Sequence, residues 1–325
     1  MKVSVLGPGS FGTAVAQLIS QNVNEINLFG RNKDIINSIN QKNINNVYHP
    51  WVPLNENIKA FKLENKNLIM DSDLIIFCIP SGSTRIVAEY LSGVLDDQIV
   101  ISTAKGIEYP SVKYMTQVIK EETGLDNIFS LSGPTFADEL IRNVLSAVTM
   151  GIRGSHKDII NLFKSPNILL DVSEDVEGVE LCSILKNIYA TAMGIFDTYY
   201  QGNNEHNALL NLCFKEMDSI LRASGHMGLY SNFCSFGDLV LTANTDKSRN
   251  RTIGLMLGKN MKLDPSSPVN VESIKSVKAI KMMSNNYNFK TPILDFVDLA
   301  FDEREDIRQL MNQLIKRLDY SPINL

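Results

Sequence analysis

Along the first half of the chain the apolar residues gather in short, β-branched runs separated by polar stretches; along the second half they recur every third or fourth position. The first pattern predicts buried strands alternating with helices, and the second a set of packed helices. Strands are expected over Lys2–Leu6, Glu25–Phe29, Asp73–Ile79, Ile99–Ser102, Ile128–Leu131, Leu145–Ile152 and Ile168–Val172, with a further short one over Ile58–Phe61. The run from Asp73, DLIIFCI, is apolar without alternation, as a strand covered on both faces requires. Helical spacing marks Thr13–Ile19, a polar helix over Lys33–Asn46, and Ser155–Phe163. From Asp175 onward the alternation stops. Helices are expected there over Val176–Tyr200, Asn207–Gly225, Phe236–Ala243, Arg251–Leu257, Val271–Ser284 and Ile293–Leu318. In the first of these, Val179, Cys182, Ile184, Leu185, Ile188 and Ala192 form an apolar stripe with a period near 3.6. Asn and Lys crowd Asn37–Asn67, which reads as a surface region of weak local order.

Between the first strand and the first helix stands Gly7-Pro8-Gly9-Ser10-Phe11-Gly12, so G-x-G-x-x-G occurs in the strand, turn, helix context that gives it meaning. Gly7 allows a tight turn, Gly9 lets the backbone approach a pyrophosphate, and Gly12 lets the helix pack close to the strand. Free N–H groups at the helix start face the anion. The bland alternative is a tight turn and nothing more. These features predict an α/β, Rossmann-type dinucleotide-binding domain over residues 1–176, followed by an all-α domain over 177–325 that binds the substrate. A carboxylate ending the second strand would bond the ribose hydroxyls of NAD and repel a 2′-phosphate. Here that strand ends in Phe29-Gly30-Arg31-Asn32-Lys33, and two cations with no carboxylate favour tolerance of, or preference for, NADP over NAD, unless they form only a solvated basic turn.

Composition narrows the function without changing the fold. With 325 residues, two domains of ordinary size are expected. A net charge of -5 argues against a nonspecific nucleic-acid binder, yet allows a local basic pocket for a phosphorylated metabolite. No apolar run reaches the length of a membrane span, and the chain enters a strand at once rather than a signal peptide, so a cytoplasmic protein is expected. Cys78, Cys182, Cys213 and Cys234 are far apart and fit buried free thiols in a reducing compartment. His49, His156, His206 and His226 are scattered too, so no catalytic metal is expected.

Ligands of an open parallel sheet lie beyond the carboxyl ends of its strands, which puts Pro80–Ser83 at the border of the cofactor. Lys105 follows another strand end, where a cation is either a ligand contact or a surface lysine. Ser132-Gly133-Pro134-Thr135-Phe136-Ala137 reads as a strand-to-helix turn with proline near the first helical position. In the helical half, Lys186 interrupts an apolar helix. It must snorkel to water or face a polar cleft, where a desolvated amine suits proton transfer. Asp238 starts an apolar helix, and a helix cap is its simplest reading. Ser248-Arg249-Asn250-Arg251 precedes another helix and suits a phosphate, or else a capped helix with two surface arginines.

Gly7 to Ala14, Ile79-Pro80-Ser81, Lys105 to Glu108, Ser132 to Ala137, Leu185-Lys186-Asn187, Gly237-Asp238-Leu239 and Ser248 to Arg251 occur in an order and spacing that resembles bacterial NAD(P)-dependent sn-glycerol-3-phosphate dehydrogenase. The likeness runs from Val3 to about Pro292. It implies reversible reduction of dihydroxyacetone phosphate to sn-glycerol 3-phosphate for phospholipid synthesis, in a cleft between two domains. It implies that Ser10, Phe11, Arg31, Ala137 and Glu272 contact the dinucleotide, and that Lys105 contacts cofactor and substrate. Gly133, Thr135, Asp238, Ser248, Arg249 and Asn250 would surround the phosphorylated substrate, Arg249 would also lie near the cofactor, and Lys186 would donate and accept the proton. The chain is compatible with a homodimer.

Three departures bear on the pocket. Cys213-Phe214 stand where the family usually has Arg-Gly, Cys234-Ser235-Phe236 replace a glycine-rich approach to Asp238, and Ser273 follows Glu272 where glycine is usual. They keep open a divergent paralogue acting on another small phosphorylated or carboxylated hydroxy compound. A silent NAD(P)H sensor is a third reading, against which the presence of Lys186, Asp238 and Arg249 together argues, since a sensor needs no proton donor.

Overall fold

A computed structural model describes residues 1–264, 266–287, 289–302 and 306–318. The strands are β1 (Val3–Leu6), β2 (Ile26–Gly30), β3 (Ile58–Lys62), β4 (Leu74–Phe77), β5 (Ile99–Ser102), β6 (Ile128–Ser132), β7 (Ser146–Gly151) and β8 (Ile168–Ser173). Among them run helices α1 (Ser10–Ile19), α2 (Lys33–Lys42), α3 (Lys66–Met70), α4 (Ser81–Leu91), α5 (Met115–Thr123), α6 (Ala137–Leu140) and α7 (Lys157–Leu162). The strands form one sheet in the order β3-β2-β1-β4-β5-β6-β7-β8, parallel throughout except for β6 against β7. Val3 pairs with Ile26 on one side and Leu74 on the other, so β1 lies at the point where the strand order reverses. Ligands of such sheets bind at that switch point.

Side chains alternate between two cores. Val3, Val5, Leu74 and Ile76 pack with Ala14, Val15, Leu18 and Ile19 of α1 on one face. Leu6, Ile75 and Phe77 pack with Ala88 and Leu91 of α4 and Ile119 of α5 on the other. Both faces of β4 are therefore covered, as its unbroken apolar run requires.

Beyond β8 the elements among the described residues are helical, the α-helices being α8 (Val176–Tyr199), α9 (Asn203–Ala223), α10 (Asp238–Ala243), α11 (Arg249–Gly258), α12 (Pro268–Tyr287), α13 (Pro292–Ala300) and α14 (Ile307–Leu318). The chain divides into two compact units. One holds Met1–Lys105, Tyr114–Glu180 and Asn232–Cys234; the other holds Gly106–Lys113, Leu181–Ser231 and Ser235 onward.

Several expectations need correcting. The helix expected over Lys33–Asn46 stops at Lys42, because Asn43 turns the chain into the left-handed region at φ 51°. The expected helix Ile293–Leu318 is two, α13 and α14. Pro134 does not open a helix, since Phe136 is still extended and α6 starts at Ala137. The region Asn37–Asn67 is ordered by its asparagines. Asn40 exchanges two 2.8 Å hydrogen bonds with the backbone of Ala60, and Asn57 donates to the Ser20 and Val23 carbonyls. Asn45 donates to the Pro8 carbonyl at 3.0 Å and to Thr13 Oγ1 at 2.8 Å. By length and composition α8 could cross a membrane, although no uninterrupted apolar run in the sequence could. Since 94% of its apolar window is buried in the protein, it is a core helix.

At the start of α8, in the first unit, Glu180 is buried and accepts hydrogen bonds from the backbone N–H and the hydroxyl of Thr116. Burial pushes its carboxyl up to about 8, against the lowering effect of the Thr116 bonds. The folded chain therefore holds this proton over a window, from about 4.5 to about 8, in which the unfolded chain has released it. The contribution is complete below the lower limit and is lost as pH rises through the upper one. Glu180→Gln is expected to flatten the decline of melting temperature with pH across that window. A slope equal to wild type in a thermal-melt series would refute this.

Candidate functional site

Gly7 leaves β1 at φ +106°, and a Cβ there would lie 2.5 Å from the Cys78 carbonyl oxygen. At position 12 a Cβ would lie 2.0 Å from the Gly7 carbonyl oxygen, so the start of α1 can meet the strand end only as glycine. Gly9 differs. A Cβ there would meet nothing within 4 Å, and the space beside it is open at the first turn of α1, whose leading N–H groups have no intrahelical partner. The residues present therefore fit a pyrophosphate at this turn. The next sheet neighbour, β4, leads through Pro80 into α4, so the two turns leave adjacent parallel strands at the same edge.

Others of the predicted residues lie in this unit. Lys105 Nζ stands 5.6 Å from the centre of the Phe11 ring, within reach of a cation–π contact. Arg31 is exposed and has no hydrogen bond or ion pair to any described residue, whereas Asn32 caps α2 by accepting from Asp34 N and Ile35 N. Gly133, at φ +154°, sits so close to β7 that a Cβ would lie 2.6 Å from the Ala147 carbonyl oxygen. Buried Thr135 bonds back to the Gly133 carbonyl through both its N–H and its hydroxyl. Ala137 begins the four-residue α6.

The second unit brings Lys186 of α8 and Asp238 of α10 together. Lys186 is 4% exposed, and its ammonium donates to Asp238 Oδ1 at 2.6 Å and to Thr242 Oγ1 at 3.1 Å. The lysine does not snorkel. Thr242, one helical turn beyond Asp238, completes the group by donating to the same carboxylate at 3.3 Å. Sequence reading missed it, although the spacing Asp238 to Thr242 puts both on one helix face. An ammonium has three protons, and the third has no acceptor among the described residues. Asp238 Oδ2 is likewise buried without a partner. The group thus offers a ligand one charged donor and one charged acceptor.

A short connection after α10 leads to Ser248, which caps α11 by accepting from Arg251 N. The two arginines of this turn are not equivalent. Arg251 is held by Asp197, at 2.8 Å, and by Asp246, while Arg249 is exposed with no partner among the described residues. Asn250 receives a 2.8 Å hydrogen bond from Ser273, the residue after Glu272, so one departure from the family pattern lies against a predicted substrate residue. The other two departures meet each other. The rings of Phe214 in α9 and Phe236 pack edge to face with centroids 4.9 Å apart. No group of three or more His, Cys, Asp or Glu side chains that could hold a metal is found among the described residues.

A parallel sheet with its glycine turn at the switch point, continued by a helical unit, is the build of the dinucleotide-dependent dehydrogenases. Two family descriptions cover nearly the whole chain: NAD-dependent glycerol-3-phosphate dehydrogenase N-terminus over residues 2–157, and its C-terminus over 175–312. The chain belongs to the NAD-dependent glycerol-3-phosphate dehydrogenase family. It is 43% identical to glycerol-3-phosphate dehydrogenase [NAD(P)+] of the archaeon Methanothermobacter thermautotrophicus, over 98% of each chain. It is 32% identical to the enzyme of that name in Clostridium botulinum, over 99% of each. A crystal structure of glycerol-3-phosphate dehydrogenase from Coxiella burnetii superposes with a TM-score of 0.86 at 26% identity, covering 97% of this chain and 99% of that one. The likeness is therefore not confined to bacterial members.

Proposed function

We propose that this chain catalyses the reversible NAD(P)H-dependent reduction of dihydroxyacetone phosphate to sn-glycerol 3-phosphate, supplying phospholipid synthesis. The observation that carries the reading is the buried Lys186 ammonium, paired with Asp238 and left with one unused proton, in a chain of this family. Bound NAD(P)H supplies the hydride. Gly9 and Ser10 would border its pyrophosphate at the turn that Gly7 and Gly12 shape, Phe11 would contact the dinucleotide and Arg31 a 2′-phosphate, with Lys105, Ala137, Arg249 and Glu272 as further contacts. As the ketone oxygen gains negative charge, Lys186 stabilises it and then delivers the free proton. Asp238 holds the ammonium in position, and its unpartnered Oδ2 would accept from a substrate hydroxyl. In the reverse direction the neutral amine takes the proton back. Ser248, Arg249 and Asn250 would bind the phosphate, with Lys105, Gly133 and Thr135 as further substrate contacts. Free cysteines suit a reducing, cytoplasmic setting.

The test is oxidation of NADH and NADPH, side by side, with dihydroxyacetone phosphate. Turnover with NADPH at the lower KM is expected, from the unpartnered Arg31; no turnover with either cofactor removes the proposal. One observation favours a second reading. The Phe214–Phe236 pair fills space where the family usually has small residues, so a paralogue acting on another small phosphorylated or carboxylated hydroxy compound would show higher kcat/KM with that compound than with dihydroxyacetone phosphate.

Of the two arginines beginning α11, only Arg249 is free to bind a phosphate. Arg249→Ala is expected to lower kcat/KM for dihydroxyacetone phosphate by roughly 10- to 100-fold, the range for a lost hydrogen bond to a charged group. Its melting temperature should hardly move. Arg251→Ala should instead lower the melting temperature, because it removes the 2.8 Å ion pair to half-buried Asp197 and the pair to Asp246, leaving His206 as the remaining partner of Asp197. Normal kinetics in the Arg249 variant would place the phosphate elsewhere.

A further inference from the structure

The stretch whose composition reads as weakly ordered grips the glycine turn at Pro8 and Thr13 through Asn45, and at a third point through a histidine. His49 is only 5% exposed. Its Nε2 lies 2.9 Å from the Ser10 carbonyl oxygen and 3.2 Å from Ser10 Oγ. A carbonyl oxygen can only accept, so Nε2 must carry a proton; a bare Nε2 would set two lone pairs against each other at that distance. An Nε2 that donates has no lone pair left for the serine proton. Ser10 Oγ therefore meets the imidazole as an acceptor, and its own O–H is directed elsewhere. No described residue accepts it. Ser10 is also the first residue of α1, where unpaired backbone N–H groups lie beside the open space at Gly9.

We propose that His49 is a positioning residue for the cofactor: by donating to Ser10 it commits the serine hydroxyl to act as a donor toward a pyrophosphate oxygen of the bound dinucleotide. The inference rests on the dinucleotide reading of the glycine turn and adds a residue from outside that motif. It also assigns Ser10 a direction, as donor and not acceptor, which suits an anion that offers only acceptors.

The chain contains a single tryptophan, Trp51, which is 91% exposed and two residues beyond His49. Energy transfer from Trp51 to the reduced nicotinamide ring, together with NAD(P)H fluorescence, reads binding without turnover. NADH and NADPH are titrated into wild type, His49→Leu, His49→Gln, Ser10→Ala and the double variant His49→Leu/Ser10→Ala, with melting temperatures recorded in parallel. His49→Leu is expected to weaken dinucleotide binding about tenfold, as for one lost hydrogen bond to a charged group, with little change in KM for dihydroxyacetone phosphate. His49→Gln should recover most of the loss, because its amide can supply the missing N–H. The double variant should bind no worse than Ser10→Ala alone, since the histidine acts through that hydroxyl. Wild-type affinity in His49→Leu, losses that add in full in the double variant, or a glutamine variant as weak as the leucine one would each overturn the proposal. Should His49→Leu fail to fold, the glutamine variant and Ser10→Ala decide: the proposal needs the first near wild type and the second weakened. Wild type that binds neither cofactor would instead remove the dinucleotide reading itself.

Discussion

Lys186→Arg is expected to fold, to bind NAD(P)H, and to lose turnover by on the order of 10²- to 10⁴-fold, the usual contribution of a positioned acid or base. The guanidinium keeps the charge that Asp238 requires, but it does not release a proton at any working pH and so cannot deliver one or take one back. Lys186→Ala should lose at least as much activity, and the structure adds a cost that the sequence does not reveal. Asp238 is 1% exposed and would be left without its cation, which destabilises a fold by roughly 3–5 kcal/mol. Asp238→Asn in the same chain should restore much of the melting temperature without restoring turnover. Steady-state kinetics on folded samples, with cofactor titrations beside them, separate these effects. Near wild-type rates in the Arg and Ala variants would remove Lys186 from the chemistry and turn attention to Lys105.

Gly9→Val is expected to abolish detectable NAD(P)H binding in a chain that still folds. Gly9 has φ −75° and ψ −174°, an extended conformation that valine adopts readily, and its Cβ would meet no atom of the protein. What the branched side chain fills is the space into which a pyrophosphate would settle. Gly12 offers no such clean experiment, because any side chain there collides with the Gly7 carbonyl and disturbs the fold first. Fluorescence titration with NADH and NADPH is the measurement, with circular dichroism as the control. Unchanged affinity in a folded valine variant would mean that the cofactor is not held by this turn.

The strands and the glycine turn were legible because burial on both faces leaves unbroken apolar runs, and because a turn beside a strand end tolerates only glycine at Gly7 and Gly12. Family membership was legible from ordered motifs spread over the chain. Less could be read where polar side chains act on the backbone. Asn40, Asn45 and Asn57 look like surface residues in composition, yet each satisfies backbone groups far from it in sequence, so a segment rich in them is ordered. Glu180 sits among apolar neighbours with no local motif, and only the folded chain shows what it bonds to; Thr242 shares a helix face with Asp238, but only the fold brings Lys186 to both. Lys186 could be singled out as an interruption of an apolar helix. Its partner could not be derived from the helix alone, since Asp238 also reads as a plain cap. The antiparallel pairing of β6 with β7 is similarly silent in the sequence, as an apolar run has no direction.

Phe214 and Phe236, which lie on different segments and both depart from the family pattern, touch only because each is present. Their contributions to stability are therefore coupled. A ring appearing at one position first, without its partner, would have gained bulk but no edge-to-face contact, worth about 0.5–1.5 kcal/mol. Replacing either ring alone is expected to lose the contact, and replacing both to cost less than the sum of the two single changes. A chimera that exchanges only one of these segments with a relative inherits half of a pair, so pocket swaps within the family must move both segments together.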